Sequence, residues 1–278
     1  MARRRGVVHR ASPAKVNLSL AVDRVDETGL HPVDTVIHLL DFGDDIFFEP
    51  SDGLSVTCTP SLVLAQEDNL AYRAACAMST MFGQDINDHI HIEKRIPHGA
   101  GMGGGSSNAA TVISEYAQRW GVDRSDRRVQ DVARSLGSDV AVFLAPTTHS
   151  RMTGYGDVLA ESPGRLADVD LVMVMVPDAH ASTPAVYRMF DEIGAGDRVE
   201  ELRNDLAYAS MKVCPDTETA LTWIRAHRLV RAAQVSGSGA AVLGLTRSSG
   251  DAQQVAKEAH TAGLWSVATA LRTAHCDE

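Results

Sequence analysis

The chain has 278 residues, 44% of them hydrophobic, enough for one large domain or two ordinary ones with a core that needs no staples. A net charge of −10 argues against a broad nucleic-acid surface, and no apolar run approaches the ~20 residues of a membrane span. No signal-peptide core follows Arg3-Arg4-Arg5, and Cys58, Cys76, Cys214 and Cys276 lack the spacing of a zinc site or disulfide framework, so a reducing, cytoplasmic setting is expected.

From the N-terminus, residues 15–22 alternate. Val16, Leu18, Leu20 and Val22 face one way and Lys15, Asn17 and Ser19 the other, which predicts a half-buried strand with a cation and an amide on its open face. A turn at 26–29 follows, then strands at 33–40, 45–49 and 54–59, with Asp44-Asp45 read as a hairpin turn. Helical spacing over 69–82 stops at Gly83. Ile90 and Ile92 alternate with His89, His91 and Glu93 in a strand; the two histidines share a face but have no third ligand in view. That strand runs into PHGAGMGGGSSN at 97–108, where five of twelve residues are glycine. A helix is predicted to start within Ser106-Ser107-Asn108, all good N-caps, and a second over 129–136 closes at Gly137. Beyond lie a central strand at 170–176 and helices at 185–193 and 217–227. A second glycine cluster (235–239) precedes a strand at 242–245, a helix at 252–262 and a strand at 265–270. Strands and helices are mixed rather than strictly alternating, which predicts an α+β fold, divided near 161–168 into units 1–163 and 164–278.

A glycine loop that feeds a helix N-terminus is an anion site, because unpaired amides and the positive end of the helix dipole meet there. Gly99, Gly101 and Gly104 satisfy the dinucleotide fingerprint, but no strand ending in an acid follows at the required distance. A Walker A loop would need a lysine after the glycines, and none is present.

The segment PHGAGMGGGSSNAA resembles the second signature of the GHMP kinases (galactokinase, homoserine, mevalonate and phosphomevalonate kinases). SPAKVNLSL (12–20) is similar to the family's first motif. EDNLAYRAA (67–75), LGSDVAVFL (136–144), STPAVY (182–187), NDL (204–206) and SGSGAAV (236–242) match other segments in order. The resemblance implies a two-domain fold with an N-terminal half related to ribosomal protein S5 domain 2 and a C-terminal α/β sandwich. It also implies an ATP- and Mg2+-dependent kinase of a small-molecule alcohol, monomeric or homodimeric, with no nucleic-acid or membrane partner. Within the family the chain is similar to the branch that phosphorylates the 2-hydroxyl of a cytidylated methylerythritol in non-mevalonate isoprenoid synthesis. A different alcohol, homoserine- or mevalonate-like, or a retired nucleotide-binding module are the alternatives.

The same resemblance assigns residues. Asp139 would take the proton of the acceptor hydroxyl, with Lys15 beside it; otherwise Asp139 caps a helix and Lys15 is a solvated strand lysine. Pro97, Gly99, Gly101, Gly103, Gly104, Gly105, Ser106, Ser107 and Asn108 would form the ATP cradle. One hydroxyl, Ser106 or Ser107, would approach Mg2+, unless both serines simply cap the helix. Asn69 and Lys94 would recognise adenine, the alternatives being an N-cap and a surface lysine. Asn17, His31, Thr183, Tyr187, Gly237 and Gly239 would hold the acceptor, although Tyr187 also fits a helix core and the two glycines a tight turn. The branch usually has Gly-Tyr-His where this chain has Gly29-Leu30-His31, so the aromatic face expected before the histidine is missing.

Overall fold

The structure is a computed structural model that describes residues 6–61, 65–160, 169–195 and 202–273. Arg3-Arg4-Arg5, Cys276 and the division expected at 163/164 lie outside the described residues.

The alternation at 15–22 belongs to a longer strand, β1 (Val8–Val22), which pairs antiparallel with β2 (Val33–Pro50). The strands expected at 33–40 and 45–49 are this one strand. Asp44 and Asp45 do not turn the chain; they continue the ladder opposite Ser12 and Ala11. Asp44 can sit inside a strand because its carboxylate is fully buried and partnered, as described below.

β3 (Ser55–Thr59) runs parallel to β4 (Asp88–Glu93), and the connection between them carries α1 (Leu70–Phe82), as parallel pairing demands a crossover. The chain then forms α2 (Gly104–Arg119), α3 (Arg127–Leu136) and α4 (Ser138–Leu144), followed by β5 (His149–Thr153) and β6 (Val158–Ala160). The first sheet has the order β3-β4-β2-β5-β6, with β1 also on β2. Its helix-covered face buries Phe48, Ile90 and Ile92 against Met78, Ile113, Tyr116 and Val129.

The second sheet is antiparallel throughout. β7 (Asp170–Met175) is followed by α5 (Thr183–Ile193), α6 (Ala207–Val213) and α7 (Pro215–Arg225). Then come β8 (Ala232–Val235), β9 (Val242–Leu245), α8 (Ser249–Thr261) and β10 (Trp265–Ala270), giving the order β10-β7-β9-β8. Val172 and Val174 pack with Ile224 and Val255 on one face. Leu171, Met173 and Leu243 on the other face join Val16, Leu18 and Leu20 of β1 in a single core. β1 therefore belongs to the first sheet by hydrogen bonding and to the second by packing. Its polar face, expected to be open, is covered: Lys15 and Asn17 are each 5% exposed. Among the described residues no helix is long and apolar enough to cross a membrane.

Candidate active site

The glycine loop is pinned from both sides. Lys15 N donates to Met102 O (3.0 Å), while Ala240 N and Ala241 N donate to Gly99 O and Ala100 O (both 3.2 Å). Gly99, Gly101 and Gly103 all have φ of 71°, where a side chain is strained. A Cβ on Gly101 would lie 2.5 Å from the Ser236 carbonyl oxygen, and one on Gly103 would lie 2.9 Å from Phe143 Cζ. These glycines serve the fold.

Gly105 is different. It is helical, and a Cβ there would meet only Leu70 Cδ1, at an ordinary 3.4 Å. Nothing in the protein explains its missing side chain. Helix α2 begins at Gly104 with Gly103 as N-cap, not within Ser106-Ser107-Asn108, so neither serine is a cap. Its first turn closes with Ser107 N donating to Gly103 O (2.8 Å). The amides of residues 104–106 stand ahead of that bond, at the positive end of the helix.

A cleft of about 930 Å³ passes this helix start. Gly99, Gly101, Gly103, Gly104 and Gly105 line it with Pro97, and Ser106 and Asn108 do so from the first turn of α2. Ser107 does not. Its side chain is fully buried on the far side of the helix, where its hydroxyl pairs with Ser12 Oγ (2.8 Å). Gly239 also lies outside the lining; it sits behind Gly101, and a Cβ on it would strike the Ser210 hydroxyl.

Lys15 and Asp139 meet on the cleft wall, Nζ to Oδ2 at 3.6 Å, with side chains 7% and 32% exposed. Lys15 reaches this point from β1; Asp139 reaches it from the first turn of α4, whose N-cap is Gly137. The ammonium also donates to Asn17 Oδ1 (2.7 Å). Asn17 Nδ2 donates to Thr35 Oγ1 (2.8 Å), and the Thr35 hydroxyl donates to the Ser19 carbonyl (2.6 Å). This chain of bonds fixes the lysine rotamer and leaves the more exposed Asp139 facing the cleft.

Lys94 enters the cleft from the end of β4, and it is not a surface lysine. Its ammonium pairs with Asp44 and donates to Asn108 Oδ1 (3.0 Å), and a Cβ on Gly104 would lie 3.2 Å from it. Asp44 also accepts from Arg95 N (2.8 Å), Ile96 N (2.9 Å) and Asn108 Nδ2 (2.9 Å). This buried carboxylate, absent from the sequence-derived site, shapes the entry to the glycine loop; an acid pair inside an apolar alternation was the available signal. Asn69 lines the same end and caps α1 through Ala71 N (2.9 Å), so the capping alternative stands and the residue still borders the cleft.

At the other end His31 and Tyr187 line the cleft with ring centroids 5.1 Å apart. His31 is held on both nitrogens, Nδ1 by the Asp23 carbonyl (2.9 Å) and Nε2 by Asp191 (3.3 Å). Burial, with the Asp139 charge, pushes the Tyr187 phenol up to about 12. Thr183 joins Ser238 through their hydroxyls (2.8 Å), and Gly237 borders Asn17 and Lys15. Asn204 Nδ2 donates to the carbonyls of Val235 and Gly237 (both 2.8 Å) and holds this second glycine loop in place. Among the described residues no group of three or more His, Cys, Asp or Glu side chains is arranged to hold a metal by itself.

Comparison with known proteins identifies the family. The family description "GHMP kinases N terminal domain" matches residues 69–146, and "GHMP kinases C terminal" matches residues 184–263. The chain is 33% identical over 253 residues to a 4-diphosphocytidyl-2-C-methyl-D-erythritol kinase of Salinibacter ruber, covering 84% of this chain and 88% of the relative. A crystal structure of a 4-(cytidine 5'-diphospho)-2C-methyl-D-erythritol kinase superposes with a TM-score of 0.79 at 31% identity, covering 96% of this chain and 100% of that one. A homoserine kinase from Cytophaga hutchinsonii shares the fold alone, with a TM-score of 0.67 at 15% identity over 98% of this chain and 96% of that one. The glycine loop at a helix start, the facing Lys15–Asp139 pair and matches to both halves lead to one conclusion: the chain belongs to the GHMP kinases, ATP-dependent kinases of small molecules.

Proposed function

We propose that this chain transfers the γ-phosphoryl group of ATP to the 2-hydroxyl of 4-diphosphocytidyl-2-C-methyl-D-erythritol, as a cytoplasmic enzyme of non-mevalonate isoprenoid synthesis. Relatives that bear that activity in their names and match over most of both chains support the acceptor. The observation that carries the chemistry is the Lys15–Asp139 contact of 3.6 Å beside the start of α2.

The amides of Gly104 to Ser106 cradle the nucleotide phosphates, and Lys94 adds charge next to Gly104. Asp139 accepts the acceptor's hydroxyl proton as the new O–P bond forms and the bond from phosphorus to ADP breaks. In a loose transition state the hydroxyl acidifies late, so a carboxylate is base enough. Lys15 neutralises charge that develops on the transferred group. Ser106, which lines the cleft from the first turn of α2, would help hold Mg2+, a cation that needs only one or two protein oxygens. When bound, the ion would supply positive charge against the phosphates. His31, Tyr187, Thr183 and Gly237 hold the acceptor, and Asn69 receives adenine.

A kinase of another alcohol is the second reading, favoured by Leu30, which is 52% exposed in the cleft and carries no ring. The test is ADP release with the cytidylated acceptor, homoserine and mevalonate, each with and without Mg2+. Turnover confined to the cytidylated compound upholds the proposal, and turnover with another alcohol replaces it. ATP binding with no ADP formed under any condition refutes kinase activity.

A further inference from the structure

Eight large apolar side chains are strongly exposed among the described residues, and three of them, Val25, Leu30 and Tyr155, line one end of the cleft. Apolar surface left open and clustered inside a polar-rimmed cleft marks a binding face rather than chance exposure. Of the three only Tyr155 carries a ring.

Tyr155 sits on the turn between β5 and β6, flanked by Gly154 and Gly156 at φ of 68° and 82°. Both ends of the residue are tied. Its amide donates to Asp157 Oδ1 (3.0 Å), and its hydroxyl donates across the cleft mouth to Asp26 Oδ2 (2.6 Å). Asp26 is itself held by the Thr28 amide (2.9 Å) and hydroxyl (2.5 Å). The turn is fixed to the His31 side of the cleft, because Val33 N donates to Gly154 O (2.7 Å). Despite these ties the side chain remains 41% exposed. A flat face already immobilised by its hydroxyl loses little entropy when a planar ligand covers it. Among the described residues no aromatic ring or cation stacks on that face.

We infer that Tyr155 is a binding and specificity-determining residue for the acceptor, its ring forming a stacking platform for the acceptor's planar base. The inference rests on the acceptor reading above. It places Tyr155 on the side of the cleft that carries Leu30 and His31, remote in sequence from the Asn69–Lys94 end where adenine is assigned.

The test compares Tyr155→Ala, Tyr155→Phe, Tyr155→Trp and Asp26→Ala. The readouts are KM for acceptor, KM for ATP, and the inhibition constant of CDP as a base-bearing fragment competing with the acceptor. Loss of one stacked base costs ~1–3 kcal/mol, so Tyr155→Ala raises acceptor KM and the CDP constant together by roughly 5- to 150-fold. KM for ATP stays where it was. Phenylalanine and tryptophan keep a ring and restore acceptor binding. The inference is overturned if Tyr155→Ala leaves both constants unchanged. It is equally overturned if Tyr155→Phe and Asp26→Ala reproduce the alanine defect, for then the hydroxyl tie and not the ring matters. Absence of turnover by the unaltered enzyme with the cytidylated acceptor would instead defeat the acceptor reading itself.

Discussion

Gly105→Ala separates a bare backbone kept for the fold from one kept for a ligand. In the protein alone the substitution is favourable. Residue 105 is helical, its new methyl touches only Leu70 Cδ1 at 3.4 Å, and alanine is preferred over glycine in a helix by about 0.5–1 kcal/mol. At this chain size that is worth about 1–4 °C in Tm. The effect on nucleotide runs the other way. A helical Cβ tilts toward the N-terminus, so the methyl leans over the first turn, where phosphate oxygens would meet the amides of 104–106. Losing one charge-assisted hydrogen bond there costs ~1.5–3 kcal/mol, or roughly 10- to 150-fold in the Kd for ATP. Gly103→Ala is the control. At φ of 71°, with Phe143 Cζ 2.9 Å and Lys15 Cγ 3.0 Å from the added carbon, it lowers Tm. Thermal unfolding and calorimetric titration with ATP and Mg2+ give both quantities. A Gly105→Ala protein that is more stable and binds ATP as before would refute the phosphate cradle at α2.

Asp139→Asn removes the proton acceptor and keeps the shape, so kcat falls on the order of 10²-fold or more while the Kd for ATP is held, as single-turnover kinetics will measure. Asp44→Asn leaves the Lys94 ammonium nearly buried without its anion; the urea midpoint should drop by the equivalent of about 3–5 kcal/mol. The Arg128 side chain, and then its amide, hold Asp126 at about 2, below the ordinary 3.8. A depressed carboxyl pKa contributes stability that is complete above the unfolded value and lost as pH falls through the folded one. Asp126→Ala therefore flattens the decline of Tm between about pH 5 and 2. Asn204→Ala strips two carbonyls of the second glycine loop of their donor at a cost of ~1–3 kcal/mol and loosens Gly237 beside Lys15, so kcat falls more than ATP affinity does.

Local chemistry made some features readable in the sequence and long-range packing hid the rest. The alternation through Val16 to Val22, the Gly83 stop and the glycine loop before α2 are properties of a few neighbouring residues, and each stands in the structure. Asp44 was legible only as half of an acid pair, because its role depends on Lys94 and Asn108, fifty or more residues away in the chain. Ser107 was misplaced for a local reason: helix phase, set by a start at Gly104 rather than within 106–108, decides which of two adjacent serines meets the cleft. The buried state of Lys15 and Asn17 was hidden as well, since the cover over that polar face comes from the glycine loop and the second glycine cluster. The β5–β6 hairpin was missed because its strands are short and its turn carries the informative residue.

The division of labour between the halves also follows from contacts. Lys15, Lys94, Ser106 and Asp139, to which phosphate and proton chemistry is assigned, all come from the first sheet and its helices. Yet β1, which carries Lys15, buries its apolar face in the core of the second sheet, and the backbone of 240–241 pins Gly99 and Ala100. Residues 203–205 clamp the same strand, with Leu20 N donating to Arg203 O (2.7 Å) and Asp205 N donating to Leu20 O (2.9 Å). The segment that aims Lys15 is thus held by the second half of the chain as well as by its own sheet. A cleft built this way gains rigidity where charge must be placed to within a fraction of an ångström, which is where electrostatic catalysis depends on preorganisation. It also explains why Gly101 cannot change: it packs against Ser236 and Gly239, and any side chain there would pry the glycine loop from the second glycine cluster.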